Sequence, residues 1–440
     1  MKGKFKISPA QIIVLGFLLL ILLGTLLLCL PFASTGDSVH FVDALFTATS
    51  ATCVTGLSTV TTATQWTLFG KIVIICMIQI GGIGFMTFMS LTTIVKKSAS
   101  LSKRKLLMQS AGSIELNGVI NLIRRVLIGT FLIEGIGALI LSISFWVKGF
   151  SFFKGLWYGV FHSISAFCNA GFDILGDSSL IDYNSDPVIL ITIALLIIIG
   201  GIGFLVWGDF TAHGLRFKKY QFHSKIVVVT TALLLVGGTL ILYFTEKNDA
   251  LAHFNEGEKW LNAFFESVTL RTAGFASFDQ ATLSDGGSFV SYVLMLIGGS
   301  PGSTAGGIKT VAFAVIFLNA LSFARNNDSI TIFKKRIYDT AVKHACAIIA
   351  IYLATACVAT IIISIIEPFA LDDIIFEVIS AVATVGLTKG ITASLSIASK
   401  LILCLTMFFG RMGGLTLLLA LAEKRNQIKL ERPYDKVLIG

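Results

Sequence analysis

Four times along this chain a phenylalanine stands ten residues before a glycine, and a leucine or phenylalanine follows that glycine directly: FTATSATCVTGL from Phe46, FHSISAFCNAGF from Phe161, FFESVTLRTAGF from Phe264 and FEVISAVATVGL from Phe376. The glycines, Gly56, Gly171, Gly274 and Gly386, are 115, 103 and 112 residues apart. Recurrence over the whole length points to four copies of one supersecondary unit. Whatever the chain folds into has to be approximately fourfold.

The unit belongs in a membrane. Apolar runs near 11–30, 68–95, 122–147, 187–211, 224–245, 289–323, 340–366 and 398–422 each approach or exceed the ~20 residues that cross a bilayer. Only 13% of the 440 residues are charged, about half the roughly 25% of a soluble protein. The first run follows Lys2, Lys4 and Lys6, but it is longer than a signal-peptide core and reads as a retained span. The shorter, half-polar segments that precede those glycines, 41–52, 156–167, 260–270 and 374–383, are too short to cross.

Basic residues set the sides. Segments 1–7, 96–125, 213–225, 324–343 and 423–440 hold 24 of the 34 lysines and arginines, which by the positive-inside rule puts both termini in the cytoplasm. The net +9 thus reports orientation, and no nucleic-acid partner is expected. The opposite loops hold 17 acidic residues against 8 basic ones, a face suited to gathering cations. Each short segment then starts and ends outside, so it must dip in and return. Such backbone is tolerated only where it is buried in protein or lines water. The expected fold class is an all-α integral membrane protein with eight transmembrane helices and four re-entrant pore loops. Its helix–pore loop–helix units would divide at 1–105, 106–219, 220–333 and 334–440 around a central ion path.

A re-entrant helix points its partially negative carboxyl end at the membrane interior, and four such ends favour a cation between them. The extended residues that follow can present carbonyl oxygens in place of a hydration shell. Val54-Thr55-Gly56, Asn169-Ala170-Gly171, Thr272-Ala273-Gly274 and Thr384-Val385-Gly386 are the candidate carbonyl ladders. A single T-V-G would read as a loop turn, whereas fourfold recurrence in one context does not. Oxygen ligands suit hard cations. The seven cysteines form no C-x-x-C pair, so neither a disulfide framework nor a cysteine metal site is expected.

A second echo lies in the even-numbered runs: QIGGIGFMT from Gln79, IIGGIGFLV from Ile198, LIGGSPGSTAGGIKT from Leu296 and FFGRMGGLT from Phe408. Such glycines allow close helix packing or let inner helices bend, and the two readings are compatible. The sixth run spans 289–323, which as one helix would be roughly 52 Å long against a core of about 30 Å. It should break at Gly298-Gly299-Ser300-Pro301-Gly302-Ser303-Thr304-Ala305-Gly306-Gly307, where glycine and proline remove helix preference. Gly307-Ile308-Lys309-Thr310 inserts an isoleucine into the Gly-Lys-Ser/Thr run that a nucleotide-binding P-loop needs, so the chain should not bind ATP.

The motifs ATCVTGL, SAFCNAGFD, LRTAGF, ATVGLTKG and GGSPGSTAGGIKT, spread over essentially all of the chain, resemble the Trk/Ktr/HKT superfamily of potassium transporters. Eight spans without an extra N-terminal pair are most similar to the Ktr-type membrane subunit. The resemblance implies potassium uptake through a filter built on the four glycines, and some relatives with serine at the first position favour sodium. It also implies an intramembrane gate at 298–310, for which a plain structural kink is the alternative. One glycine per loop, against two in potassium channels, predicts a shorter ladder. Val54, Asn169 and Arg271 depart from strict repetition.

Arg411, near the middle of the eighth run, matches an arginine of the family and is expected either to gate cations beneath the filter or to pair with Glu134 in the third run. Lys309 belongs to the gate or snorkels to the inner surface. Asp173 either collects cations at the outer mouth or does nothing specific. An enzyme is disfavoured, since H-E-x-x-H and D-D-x-x-D are both absent from the sequence. An organic-solute transporter fits four glycine loops less well than an ion path does. The resemblance further implies a homodimer in the plasma membrane, a cytosolic ring of nucleotide-binding regulatory subunits, sodium stimulation and no cofactor. Basic segments near 96–105, 213–225 and 324–343 are candidate docking surfaces for the ring or for anionic lipid, and the tail ERPYDKVLIG is a candidate dimer contact.

Overall fold

The computed structural model describes residues 9–36, 39–84, 119–327 and 329–413. The basic segments 1–7 and 96–105, the C-terminal tail and the far ends of the second and eighth apolar runs lie outside the described residues.

The first unit consists of α1 (Pro9–Leu28), α2 (Phe41–Cys53), the short α3 (Thr62–Gln65) and α4 (Leu68–Ile83). The second has α5 (Val119–Val147), α6 (Phe152–Phe167) and a pair, α7 (Pro187–Gly201) and α8 (Phe204–His213), bent by 98°. The third has α9 (Phe222–Glu246), α10 (Glu256–Thr269), α11 (Asp285–Leu296) and α12 (Thr310–Ala324), followed by a hairpin of β1 (Thr331–Ile332) and β2 (Lys335–Arg336). The fourth has α13 (Asp339–Ile366), α14 (Leu371–Ala383) and α15 (Ile397–Met412).

Among the described residues four helices, within α1, α5, α9 and α13, are long and apolar enough to cross a membrane, and the α7–α8 pair makes a fifth if counted as one span. These outer helices turn large apolar side chains outward, with Leu132 63% and Ile365 79% exposed. Patches of that kind would be unfavourable in water but suit lipid. The short helices do the opposite: in α2 every residue from Phe46 to Cys53 is buried, and in α14 every residue from Phe376 to Ala383.

Local chemistry explains the starts of the inner helices. Asp186, Ser284, Thr67 and Ser396 cap α7, α11, α4 and α15 with side-chain oxygens that accept from backbone amides of the first turn. Pro187 follows Asp186 at the first position of α7, where its missing N–H costs nothing.

The units interlock in sequence. The inner helix of each packs on the short helix of the next: α4 on α6, α7 on α10, α11 on α14, and α15 back on α2. The sixth apolar run is divided as the sequence predicts, with helix ending at Leu296 and resuming at Thr310.

Candidate ion pathway

Each short helix ends just before its glycine, and all four loops leave it by the same unusual backbone route. Val54, Asn169, Thr272 and Thr384 have φ of 59°, 59°, 69° and 54°, and the glycines two residues on have φ of 100°, 66°, 80° and 100°. Left-handed backbone at Val54, Thr272 and Thr384 is costly for β-branched residues. Burial and hydrogen bonds hold it in place. Thr55 and Val385 N–H donate to the carbonyls of Ser50 and Ser380, and the next amides, of Gly56 and Gly386, donate to the hydroxyls of those same serines. In the third loop the bonds shift by one residue, with Ala273 and Gly274 both donating to the carbonyl of Thr269.

The four glycines form a closed ring. A Cβ on Gly56 would lie 2.6 Å from the carbonyl oxygen of Ala170, and one on Gly171 would lie 2.7 Å from that of Ala273. Cβ atoms on Gly274 and Gly386 would run into the carbonyls of Val385 and Thr55, which returns the circuit to the first loop. No side chain fits at any of the four.

All four glycines line one open pocket of about 430 Å³, together with Asp173, Asp177 and Asp279. Asp173 is half-buried and accepts from Leu175 N–H at 3.2 Å. Burial pushes its carboxyl up to about 6, with Asp177 adding to the rise and hydrogen bonds from Leu175, Gly176 and Ser179 opposing it.

The broken segment 298–307 packs against the inner side of this ring. A Cβ on Gly306 would collide with the Thr384 hydroxyl, and Thr304 Oγ1 lies 3.1 Å from both the Phe167 carbonyl and Asn169 Oδ1. The segment's polar backbone finds partners as required at membrane depth. Gly298 N donates to Ile308 O at 2.9 Å, Ser300 N to Gly201 O at 3.0 Å, and Phe204 N to Gly302 O at 2.8 Å. Lys309 turns back to donate to Ala305 O at 2.7 Å rather than reaching for the surface. Buried Arg271 reaches Gly298 O at 3.4 Å.

Arg411 does not pair with Glu134. Its guanidinium donates to the carbonyls of Thr304, Gly81 and, at 3.0 Å, Gly82, so it ties the broken segment and α4 to α15. Glu134 instead accepts from Gln79 Nε2, at 3.0 and 3.1 Å. The glycine echo accounts for this geometry. Gly81, Gly200 and Gly410 let the inner helices touch the ends of the short ones, at the carbonyls of Thr52, Phe167 and Val382. Three residues on, Gly84, Gly203 and Gly413 have φ of 91°, 95° and 74° and end the helix. Packing and bending are therefore divided between two glycines in these three motifs. In this alignment Arg411 occupies the place of Gly82 and Gly201, a correspondence readable from GGIG against GRMG. The Gln79–Glu134 pair and the left-handed residues before the glycines had no comparable sequence signal.

A closed fourfold ring of glycines between membrane-type helices defines a protein that passes small ions. The model of the TrkH family, cation transport protein, matches residues 7–432, and the chain belongs to that family, within the Trk/Ktr superfamily. It is a cation transporter, not an enzyme. It is 40% identical to the potassium/sodium uptake protein NtpJ of Enterococcus hirae over 99% of this chain and 98% of that one. It is 38% identical to the Ktr system potassium uptake protein B of Bacillus subtilis, over 99% and 97% respectively. The crystal structure of the potassium transporter TrkH from Vibrio parahaemolyticus superposes with a TM-score of 0.73 at 19% identity, covering 96% of this chain and 86% of that one, and so shares the fold.

Proposed function

We propose that the chain is the membrane subunit of a potassium uptake system. Potassium ions enter from the acidic outer pocket and pass the backbone carbonyls of Val54-Thr55-Gly56, Asn169-Ala170-Gly171, Thr272-Ala273-Gly274 and Thr384-Val385-Gly386. The observation that carries this reading is the ring in which each glycine is filled by the next loop's carbonyl, since only bare backbone can approach an ion from four sides there. The segment 298–310, held by Arg411 and Lys309, is the gate beneath it. Eight spans and four re-entrant loops, two spans and one loop per unit, complete the architecture. Both ends of the chain lie in the cytoplasm of a cell whose plasma membrane it crosses many times.

The names of the Ktr relatives support a partner subunit, which we take to be a cytosolic nucleotide-binding ring docking on the inner basic segments of a homodimer, with sodium stimulating transport. Sodium as a second cargo is the competing reading, because the Enterococcus hirae relative is named for both ions. Rubidium uptake into potassium-starved cells expressing the chain tests the main reading. Flux into vesicles containing the purified protein, with potassium or sodium outside, decides between the cations. Equal rates for the two would overturn potassium selectivity.

A further inference from the structure

A second cavity, of about 1050 Å³, lies between α5, the α7–α8 bend and the start of α9. Its wall is apolar, formed by residues such as Ile128, Leu132, Ile199, Phe204, Trp207 and Phe210. Arg125 is its one charged lining residue among the described residues. Arg125 is 22 positions before Val147, about 33 Å along the helix, so the cavity opens at the end of α5 remote from the acidic pocket. Several wall residues are also open to the surroundings, with Ile128 59% and Phe210 54% exposed.

The loop after α8 supplies the rim. Leu215 and Phe217 line the cavity, while Arg216, Lys218 and Lys219, interleaved with them, are exposed. Arg124 and Arg125 face outward on α5. No ion pair is formed by any of these five among the described residues. The nearby acid, Asp209, is buried and already accepts from Gln221 N–H at 2.9 Å. An apolar hollow opening sideways at membrane depth, ringed by uncompensated cations, matches one kind of molecule: a fatty acyl chain beneath an anionic headgroup.

We propose that this cavity binds an anionic phospholipid of the cytoplasmic leaflet, with an acyl chain against Trp207 and the phosphate between Arg125 and the 216–219 loop. The leaflet assignment rests on the orientation read above. The site bears on the gate: Trp207 Nε1 donates to the last-turn carbonyl of Ile199 at 3.0 Å, and the first residue of α8 donates to Gly302. A bound chain therefore fixes the bend on which the broken segment leans.

The test uses full-length protein in phosphatidylcholine vesicles containing either brominated phosphatidylglycerol or brominated phosphatidylcholine. The Trp207 emission is isolated by subtracting the Trp207→Phe protein. Half-quenching is expected at roughly thirtyfold lower mole fraction of the anionic lipid, as ~1 kcal/mol from each of Arg125 and Lys218 implies. The Arg125→Gln/Lys218→Gln protein, checked as folded by gel filtration, should bring the two curves together. Equal curves in the unaltered protein, an unchanged preference in the variant, or no quenching by either lipid because a second copy fills the cavity would each overturn the proposal. None of these readouts depends on which ion is carried, so a failed transport reading would leave the result intact.

Discussion

The guanidinium of Arg411 donates to the main-chain carbonyl of Thr304, and the Thr304 hydroxyl in turn contacts Asn169 at the end of the second short helix. A charge on the last described helix is thereby connected through one residue of the broken segment to the ring of glycines. Main-chain carbonyls, not a carboxylate, accept from the guanidinium among the described residues.

Replacing Arg411 with alanine should release the 298–307 segment and remove that charge. The loss of one charge-assisted hydrogen bond is worth ~1.5 kcal/mol, which corresponds to about tenfold in the open fraction. Rubidium flux into vesicles containing the variant should therefore rise by about that factor. Flux equal to that of the unaltered protein would leave Arg411 with a packing role only.

Gly171→Ala probes the ring. Its φ of 66° and the Ala273 carbonyl 2.7 Å from the position of a Cβ leave no room for a methyl group. The left-handed backbone alone costs ~1–2 kcal/mol, and the displaced carbonyl adds to that. Potassium uptake should fall by at least ~10-fold while the protein still reaches the membrane, as judged by immunoblotting of the membrane fraction. Normal uptake by this variant would exclude the ring as the path.

Asp173 titrates where cells live. Its raised value near 6 means that the carboxylate is charged above that pH and neutral below it. Its attraction for cations is therefore present at pH 7.5 and lost toward pH 5. Uptake at low external potassium should decline about twofold over that interval, and Asp173→Asn should flatten the decline by starting at the lower level. An equally steep profile in the asparagine variant would assign the pH dependence elsewhere.

Lys400 and Asp43 form a 3.0 Å ion pair, largely shielded from water, between α15 and α2. It lies across the seam where the fourth unit meets the first. Lys400→Ala strands the Asp43 carboxylate and should cost about 2–3 kcal/mol, seen as a lower unfolding temperature in detergent. Lys400→Ala/Asp43→Ala should recover most of that loss.

The glycines, the short helices and the break after Leu296 were legible because each imposes a local requirement: absent side chains, half-polar apolar runs, or residues that cannot continue a helix. The partners of Arg411 were not. A guanidinium satisfied by carbonyls leaves no complementary residue type to find, and Glu134, the partner expected from the sequence, is claimed by Gln79 from a neighbouring helix. The one-residue offset in the third loop was equally hidden. LRTAGF keeps the spacing from phenylalanine to glycine, and only the altered hydrogen bonds to Thr269 reveal that the helix ends differently there.

The packing of α15 on α2 has a consequence for biosynthesis. The wall of the first unit is completed by the last described helix to leave the ribosome, so the ring cannot close before α15 has been made. A half-inserted chain has short helices but no finished circle of carbonyls.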